Sequence, residues 1–224
     1  MNDPDSAARS DGNGGGTDPH SLPHLALFPL QSVLFPGALL QLRVFEPRYL
    51  DLVSRCLREK EPFGVVCLRQ GSEVRSAGSE EPVLLESTGV LAQLQEVDAE
   101  QAGVLRVKCL GTQRFEIDEP LQQADGLWTA RAWLVEDDAV APPPEAMLPT
   151  VKALANAIGA LERKSGSPFA KPYRFDDAGW VANRWCELLP ISLAAKQKLM
   201  ELEDPQMRLR LVDEYLRGKG VVST

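Results

Sequence analysis

The hydrophobic pattern of this chain changes its period once, at a proline-rich segment near residue 141. Before it, apolar residues come in short alternating or continuous runs bounded by Gly and Pro, which predicts β-strands. Beyond about residue 151 they recur every three or four residues, which predicts amphipathic helices. The run 141–144 (APPP) stiffens the connection between them. We therefore predict an α+β chain, with a sheet domain at residues 22–140 and a helical bundle at residues 141–218.

The first part is predicted to hold many short strands and one helix. Two or three strands are expected within residues 22–46, the clearest at 39–45. Further strands are expected at residues 63–69, 83–94, 104–110, 114–117 and 127–135, with a turn at Gly111. Many short strands with a single helix favour a closed or half-closed barrel.

The single helix of this part is predicted to begin at Pro47, because a first helical residue needs no amide hydrogen. Its apolar stripe should face the core and its charged residues should face solvent. The predicted inward residues are Tyr49, Leu50, Leu52, Val53, Cys56 and Leu57, and the predicted outward ones are Arg48, Asp51, Arg55, Arg58 and Glu59.

The second part is predicted to fold into four helices joined by short loops, which makes a small bundle. The side chains of Asp177, Ser192 and Asp204 are placed to accept hydrogen bonds from first-turn amides, so they should cap the last three helices. The fourth helix should end at Gly218. Its predicted inward residues are Met207, Leu211, Val212, Tyr215 and Leu216.

Charge is distributed unevenly along the chain, whose net charge is −8. Residues 21–140 carry 11 basic and 18 acidic side chains, a net charge of −7. Binding to nucleic acid gains its affinity from cations that displace the counterions of phosphates. Nucleic acid is therefore a disfavoured partner of the sheet domain.

The N-terminal segment and the cysteines bear on where the protein works. Residues 1–21 are rich in Gly, Asp and Ser, so we expect a disordered tail rather than a signal peptide. No apolar run reaches the roughly 20 residues of a membrane helix, and we expect no membrane partner. Cys56, Cys67, Cys109 and Cys186 lie among apolar residues and should be reduced core side chains. The predicted location is the cytoplasm.

The search for catalytic chemistry yields no strong candidate. No phosphate-binding glycine motif occurs, and His20 and His24 are too few to predict a metal site, so we expect no cofactor and no metal. Ser165 follows Lys164, but a solvated turn cannot lower the pKa of a lysine. Adjacent carboxylates such as Asp137 and Asp138 are taken as solubilising charge. We predict that the chain is not an enzyme.

The strongest candidate for a binding surface is the pair Trp133 and Arg131. Alternation along residues 127–135 puts both on the face opposite Ala130 and Ala132, where an exposed Trp beside an Arg is typical of interaction hot spots. The alternative, which we favour over exposure, is that Trp133 packs under the helical domain, because sheet faces need cover.

Six motifs are distributed along the chain: residues 27–37 (LFPLQSVLFPG), 42–50 (LRVFEPRYL), 63–66 (FGVV), 110–115 (LGTQRF), 187–190 (ELLP) and 197–209 (QKLMELEDPQMRL). Together they resemble the N-terminal, substrate-binding domain of the LON family. The resemblance spans residues 22–216 and implies a PUA-like twisted β-barrel followed by a helical bundle. The residues it shares look structural, at a turn, a helix start and the core: Phe35, Pro36, Gly37, Phe45, Glu46, Arg48 and Tyr49.

By resemblance, this domain gathers unfolded or tagged polypeptide for an ATPase and a protease, and the similar domain of cereblon makes protein contacts. The sequence contains no Walker motif, so ATP-dependent proteolysis is not carried over. The predicted function is a non-catalytic recognition or adaptor module for unfolded or extended polypeptide or a partner protein. The alternative is RNA binding, as in other PUA-like folds, and an enzyme of unknown type would require ionisable groups that converge in a cleft.

Overall fold

The structure is a computed structural model that describes residues 20–71 and 82–222. In these ranges the strands are β1 (Ser21–Leu30), β2 (Leu39–Val44), β3 (Phe63–Gln70), β4 (Leu84–Gln101), β5 (Val104–Gln122) and β6 (Trp128–Leu134). The helices are α1 (Pro47–Glu59), α2 (Leu148–Ser165), α3 (Ala178–Leu188), α4 (Leu193–Glu201) and α5 (Pro205–Gly218). The α+β prediction is confirmed. None of the helices in the described ranges has the length and hydropathy needed to cross a membrane.

The strands form one mixed sheet that closes into a ring. Their order is β2-β5-β4-β3-β1-β6, and β5 also pairs with β6. β1 and β3 are parallel, and the other pairs are antiparallel. Within β5, residues 105–110 pair with β2 and residues 115–122 pair with β6. Residues 104–116 of β5 also pair with β4. β2 and β6 therefore follow one another along the same edge of β5.

β5 replaces two strands that the sequence predicted, at residues 104–110 and 114–117. The predicted turn at Gly111 is wrong, because β5 continues through this residue as one strand. A Cβ atom on Gly111 would lie 2.6 Å from the carbonyl oxygen of Phe35. Glycine is needed here for the close approach of another backbone segment, and not for a turn.

Two clusters of buried side chains fill the molecule. The larger includes Phe35 and Val65 from the sheet region together with Leu154 and Trp185 from the helices. The smaller lies on the opposite face of the strands, and its buried residues are Leu25, Leu27, Val66, Leu91, Phe115, Ala130 and Ala132. The prediction that Ala130 and Ala132 of β6 face a core is therefore confirmed.

α1 confirms the predicted helix but corrects its surface. The prediction that Arg48 faces solvent is wrong, since this side chain is buried. Its charge is compensated there, because Nη1 donates to the Gly126 carbonyl at 2.7 Å and Nη2 lies 2.7 Å from the Glu46 carboxylate. Leu57 was predicted to face the core and is 57% exposed, since the buried stripe consists of Tyr49, Leu52, Val53 and Cys56.

Phe45, predicted to be a structural residue at this helix start, is 52% exposed. It directly follows the last residue of β2 and is not among the buried residues of either cluster in the described chain.

The bundle begins after a single 3₁₀ turn at Glu145–Met147, and its three predicted caps are confirmed. Asp177 accepts from the Gly179 amide at 2.9 Å, Ser192 from the Ala195 amide at 3.2 Å, and Asp204 from the Gln206 amide at 2.9 Å. α5 ends at Gly218, as expected.

The predicted inward face of α5 is correct only in part. Met207 and Leu211 are 38% and 44% exposed, whereas Val212 and Leu216 are buried. The apolar residues of α5 occupy more than one face, and α5 packs mainly on α3.

Strand β1 begins inside the predicted tail of residues 1–21. Ser21 already begins β1, and the His20 carbonyl accepts a hydrogen bond from the Leu134 amide at 2.8 Å. The remainder of the predicted tail, residues 1–19, lies outside the described residues.

Candidate functional site

The predicted pair Arg131 and Trp133 is brought together on the outer side of β6. The Arg131 guanidinium carbon lies 5.3 Å from the centroid of the Trp133 ring, a distance suited to a cation–π contact. Arg131 Nη2 also lies 3.2 Å from carboxylate oxygens of both Asp118 and Glu119. Trp133 is partly buried and is not among the described side chains packed against either cluster. The geometry is that of a surface pair whose cation already has two carboxylate partners.

A groove of about 370 Å³ runs past Arg131 along the ends of β1 and β6. Leu121, which is 66% exposed, stands in its wall. The other lining residues are Pro23, His24, Glu119, Thr129 and Ala130. This groove mixes apolar and charged side chains at the protein surface.

A larger cleft of about 530 Å³ separates the sheet from the helices. Gly111 and Gln113 of β5 form part of one wall, and Trp180 and Asn183 of α3 form part of the other. Asp138 and Arg114 line the same cleft. The two regions of the chain therefore meet across an open cleft with polar side chains in it.

Asp138 joins the two sides of this cleft. Its carboxylate lies 2.6 Å from Arg114 of β5 and 2.6 Å from Arg208 of α5, and both arginines are almost fully buried. Arg208 Nη1 also donates to the Asn183 side chain at 3.0 Å. The interpretation of Asp138 as solubilising charge is therefore wrong, because this carboxylate neutralises two buried cations, whereas Asp137 is exposed. We call Asp138, Arg114 and Arg208 the clasp.

A second buried arginine contact ties α3 to the turn before β2. Arg184 Nη1 donates to the Gly37 carbonyl at 2.6 Å and Nη2 to the Pro36 carbonyl at 2.9 Å. The Glu187 carboxylate lies 2.5 Å from Arg184 Nη2. Burial raises the pKa of this carboxyl to about 7, although the positive charge of Arg184 lowers it. Removal from water thus outweighs the attraction of the neighbouring cation.

The free edge of β2 borders a third groove. Among the described strands β2 pairs only with β5, so its other edge is open. A groove of about 250 Å³ lies along that edge, and Phe28 and Leu30 of β1 and Tyr49 of α1 form its far side. The near side is residues 41–46, which include the exposed Phe45. We call this open strand with its groove the β2 edge.

The sequence did not single out the β2 edge as a site, although it predicted the strand. Alternation of apolar Leu40, Leu42 and Val44 with polar Gln41 and Arg43 indicates a half-covered strand. Whether such a strand is central or lies at an edge depends on partners distant in sequence, so no local pattern reveals it.

Ionisable groups cluster at one further place, the segment after α2. The Tyr173 hydroxyl lies 2.6 Å from Ser167 Oγ and donates to Glu162 at 2.7 Å, and Lys171 lies 3.5 Å from the same carboxylate. Burial raises the pKa of Tyr173, the opposite of what a catalytic phenolate would need. The Ser165 side chain of the predicted Ser-Lys pair lies outside the described residues.

The cysteines are buried, as predicted. Burial raises the pKa of both Cys109 and Cys186 to about 12, which keeps them as unreactive thiols. Within the described residues, no three side chains of the metal-binding types come together.

Solved structures place this architecture among Lon N-terminal domains. A Lon N-terminal domain protein from Xanthomonas campestris is 30% identical with a TM-score of 0.66, and the match covers 87% of this chain and 99% of that one. The N-terminal domain of a Mycobacterium avium complex Lon protease matches with a TM-score of 0.56 at 14% identity, covering 87% and 98% of the two chains, which supports the fold alone.

The chain belongs to the family described as the ATP-dependent protease La (LON) substrate-binding domain, whose family model matches residues 24–218. It is 28% identical over 191 residues to the Lon protease of Parabacteroides distasonis, covering 82% of this chain and 22% of the relative. It is 26% identical over 156 residues to chicken (Gallus gallus) cereblon, covering 70% and 30%. The chain thus spans less than a third of the length of these relatives. The resemblance predicted from the motifs is confirmed.

Proposed function

We propose that this chain is a non-catalytic recognition or adaptor module that binds unfolded or extended polypeptide or a partner protein. The β2 edge carries the proposal. An open strand offers backbone N–H and C=O groups that any extended chain can pair with, and the adjacent groove offers apolar contact to its side chains. Main-chain pairing is tolerant of sequence, which suits a receptor for varied unfolded chains.

Membership in a substrate-binding family supports the same function. The cytoplasm is the proposed location, because four buried thiols suit a reducing compartment. Trp133 and Arg131 remain a proposed second contact surface, because an aromatic side chain with a stacked cation can engage a bound chain outside the β2 edge.

The test is a fluorescence-anisotropy titration of the full chain against a reduced, alkylated and labelled polypeptide that cannot fold. Saturable binding is expected, with a Kd on the order of micromolar or weaker, and the natively folded form of the same polypeptide should not bind. A flat titration up to millimolar chain would refute the proposed function. Trp133→Ala should weaken binding if the second surface takes part.

Catalysis is tested in the same samples. The labelled polypeptide should stay intact on a denaturing gel after prolonged incubation, with or without ATP and magnesium. Fragments whose amount rises with the concentration of the chain would contradict the non-catalytic assignment.

RNA binding is not favoured by the described charges. On the outer side of the sheet Lys108 lies 2.9 Å from Glu96, and Arg131 lies 3.2 Å from two carboxylates. Cations paired in this way have little to offer a phosphate backbone.

A further inference from the structure

We propose that the β2 edge selects one class of polypeptide: an extended segment that alternates large apolar residues with polar ones and carries an acidic residue opposite Arg43. This inference rests on the proposed function and specifies its substrate. The segment would add to β2 as a further strand of the sheet. Three features of the edge, concerning its backbone, its inner side and its outer side, lead to this pattern.

The backbone of β2 fixes which residues can pair with an incoming strand. The Gly111 amide donates to the Ala38 carbonyl at 2.8 Å, so Ala38 is turned towards β5. In an antiparallel ladder the hydrogen-bonding direction alternates along the strand. Leu39, Gln41 and Arg43 therefore turn their N–H and C=O groups to the open edge. The residue of the incoming strand that pairs with Arg43 lies directly across from it.

The inner side of the edge is apolar and only partly covered. Leu40, Leu42 and Val44 point towards the larger core cluster, but only Val44 is fully buried. Beyond them the groove reaches Phe28 and Tyr49, whose rings stack with centroids 4.0 Å apart. Alternate side chains of an added strand would lie on this side and continue the existing core. Large apolar side chains fill this space best.

On the outer side of the edge, Arg43 has one carboxylate partner among the described residues, and a second cation shares it. Arg43 is directly across from Arg106 in the register of β2 and β5, and like charges in that arrangement repel. Glu100 contacts both, at 3.2 Å from Arg43 and 3.9 Å from Arg106. In the described part of the chain, Glu100 is the one carboxylate within 4 Å of either guanidinium group, and Asp98 lies across from Arg106 on β4, away from Arg43. An acidic side chain on the incoming strand would supply the second carboxylate.

This acidic preference is confined to one position of the bound segment. Gln41, the preceding outer residue of β2, is neutral, and Lys108 across from it is held by Glu96 at 2.9 Å. The chain as a whole is acidic, but physiological salt screens charges that are more than about 8 Å away. The local charge of Arg43 should therefore decide the choice.

The test uses labelled nine-residue peptides that alternate Phe or Val with Thr and carry a central Glu on the Thr side. A second peptide has Lys in place of Glu, and a third has the composition of the first in scrambled order. The full chain should bind the Glu peptide at least about fivefold more tightly than the Lys peptide, and the scrambled one least. The Glu preference should shrink as salt rises.

Arg43→Glu should invert the order of the Glu and Lys peptides. Arg58→Glu is the matched control, because it makes the same change in net charge at an exposed residue of α1, and it should leave the order unchanged. Gln41→Pro removes an edge donor and should weaken every peptide about tenfold or more. Thermal melts establish whether each variant is folded. If Gln41→Pro does not fold, Arg43→Glu is the deciding variant, because its side chain is 62% exposed and its replacement should not disturb the fold.

The outcomes separate this inference from the function on which it rests. If unfolded polypeptide binds but Arg43→Glu keeps the original peptide order, the β2 edge is not the selective site and the inference falls while the function stands. If neither the peptides nor the unfolded polypeptide bind, both fall.

Discussion

At the scale of single residues, buried charge holds the sheet to the helices. Asp138 is the only carboxylate within 4 Å of either Arg114 or Arg208 among the described residues. A buried cation that loses its counterion keeps only its hydrogen bonds to neutral groups, as Arg114 would to the Met200 carbonyl and Arg208 to the Leu199 carbonyl, and this is costly. The stability of the molecule should therefore depend strongly on this one side chain.

We expect Asp138→Asn to lower the free energy of unfolding by about 3 to 5 kcal/mol, because it leaves two buried guanidinium groups without a counterion. Urea denaturation measures the change. Asp137→Asn is the matched control, since its side chain is exposed next to the clasp, and it should change stability by no more than about 0.5 kcal/mol. Equal stability of the two variants would show that the clasp does not form.

Glu187 should make stability depend on pH. Burial raises the pKa of its carboxyl from 4.5 to about 7, so the folded chain binds a proton more tightly than the unfolded chain. This carboxyl's contribution is therefore fully present below about pH 4.5 and is lost as pH rises towards 7, by at most about 1.4 kcal/mol per pH unit.

Glu187→Gln should flatten this part of the curve of unfolding free energy against pH. Denaturation at half-unit steps from pH 4.5 to 7.5 measures it. Glu214→Gln, at an exposed residue of α5, should reproduce the wild-type slope. A wild-type curve that rises over the same interval relative to Glu187→Gln would contradict the raised pKa.

At the scale of elements, close contacts between strands determine where glycine is required. A Cβ atom on Gly89 of β4 would lie 2.4 Å from the Val65 carbonyl oxygen and 2.6 Å from Phe115 Cζ. Neither neighbour can move freely, because one is backbone in β3 and the other is a fully buried ring.

Gly89→Ala should destabilise the chain by about 1 to 3 kcal/mol through overpacking. Gly159→Ala is a control of opposite sign: only a flexible Arg163 side chain lies near, at 3.6 Å, and alanine in the interior of α2 should stabilise by up to about 1 kcal/mol. Thermal melts of both variants measure the pair. An unchanged melting temperature for Gly89→Ala would mean that β3 and β4 pack more loosely than described.

The elements also show which features a sequence can predict. The caps at Asp177, Ser192 and Asp204 were predicted correctly, because capping depends on residues two or three positions away. The continuity of β5 through Gly111 was not predicted, because glycine is required there by the backbone of Phe35, which is far away in the sequence. Of the candidate site, the closeness of Arg131 and Trp133 followed from strand alternation, whereas the open edge of β2 depends on the whole strand order.

At the scale of the whole molecule, the sheet and the bundle share one hydrophobic cluster in addition to the clasp. The division into units at residues 22–140 and 141–218 remains a prediction. The sheet region and the helical region cannot separate without exposing apolar surface to water, because each covers part of the other.

We therefore expect the two regions to unfold in a single transition. Fluorotryptophan labelling gives a test, because Trp128 and Trp133 report on β6 while Trp180 and Trp185 report on α3. All four folded ¹⁹F NMR signals should disappear at the same urea concentration. Earlier loss of the two α3 signals would indicate a bundle that unfolds on its own.

The contact of Arg184 with the turn at Pro36 spans 148 positions of the chain. Since a ribosome delivers the chain from its N-terminus, the strands emerge long before the arginine that holds this turn. Part of the apolar surface of the nascent sheet therefore remains uncovered until α3 has left the exit tunnel. The sheet should accordingly complete its packing only after α3 has been translated, and a pause before α3 would lengthen its exposure to chaperones.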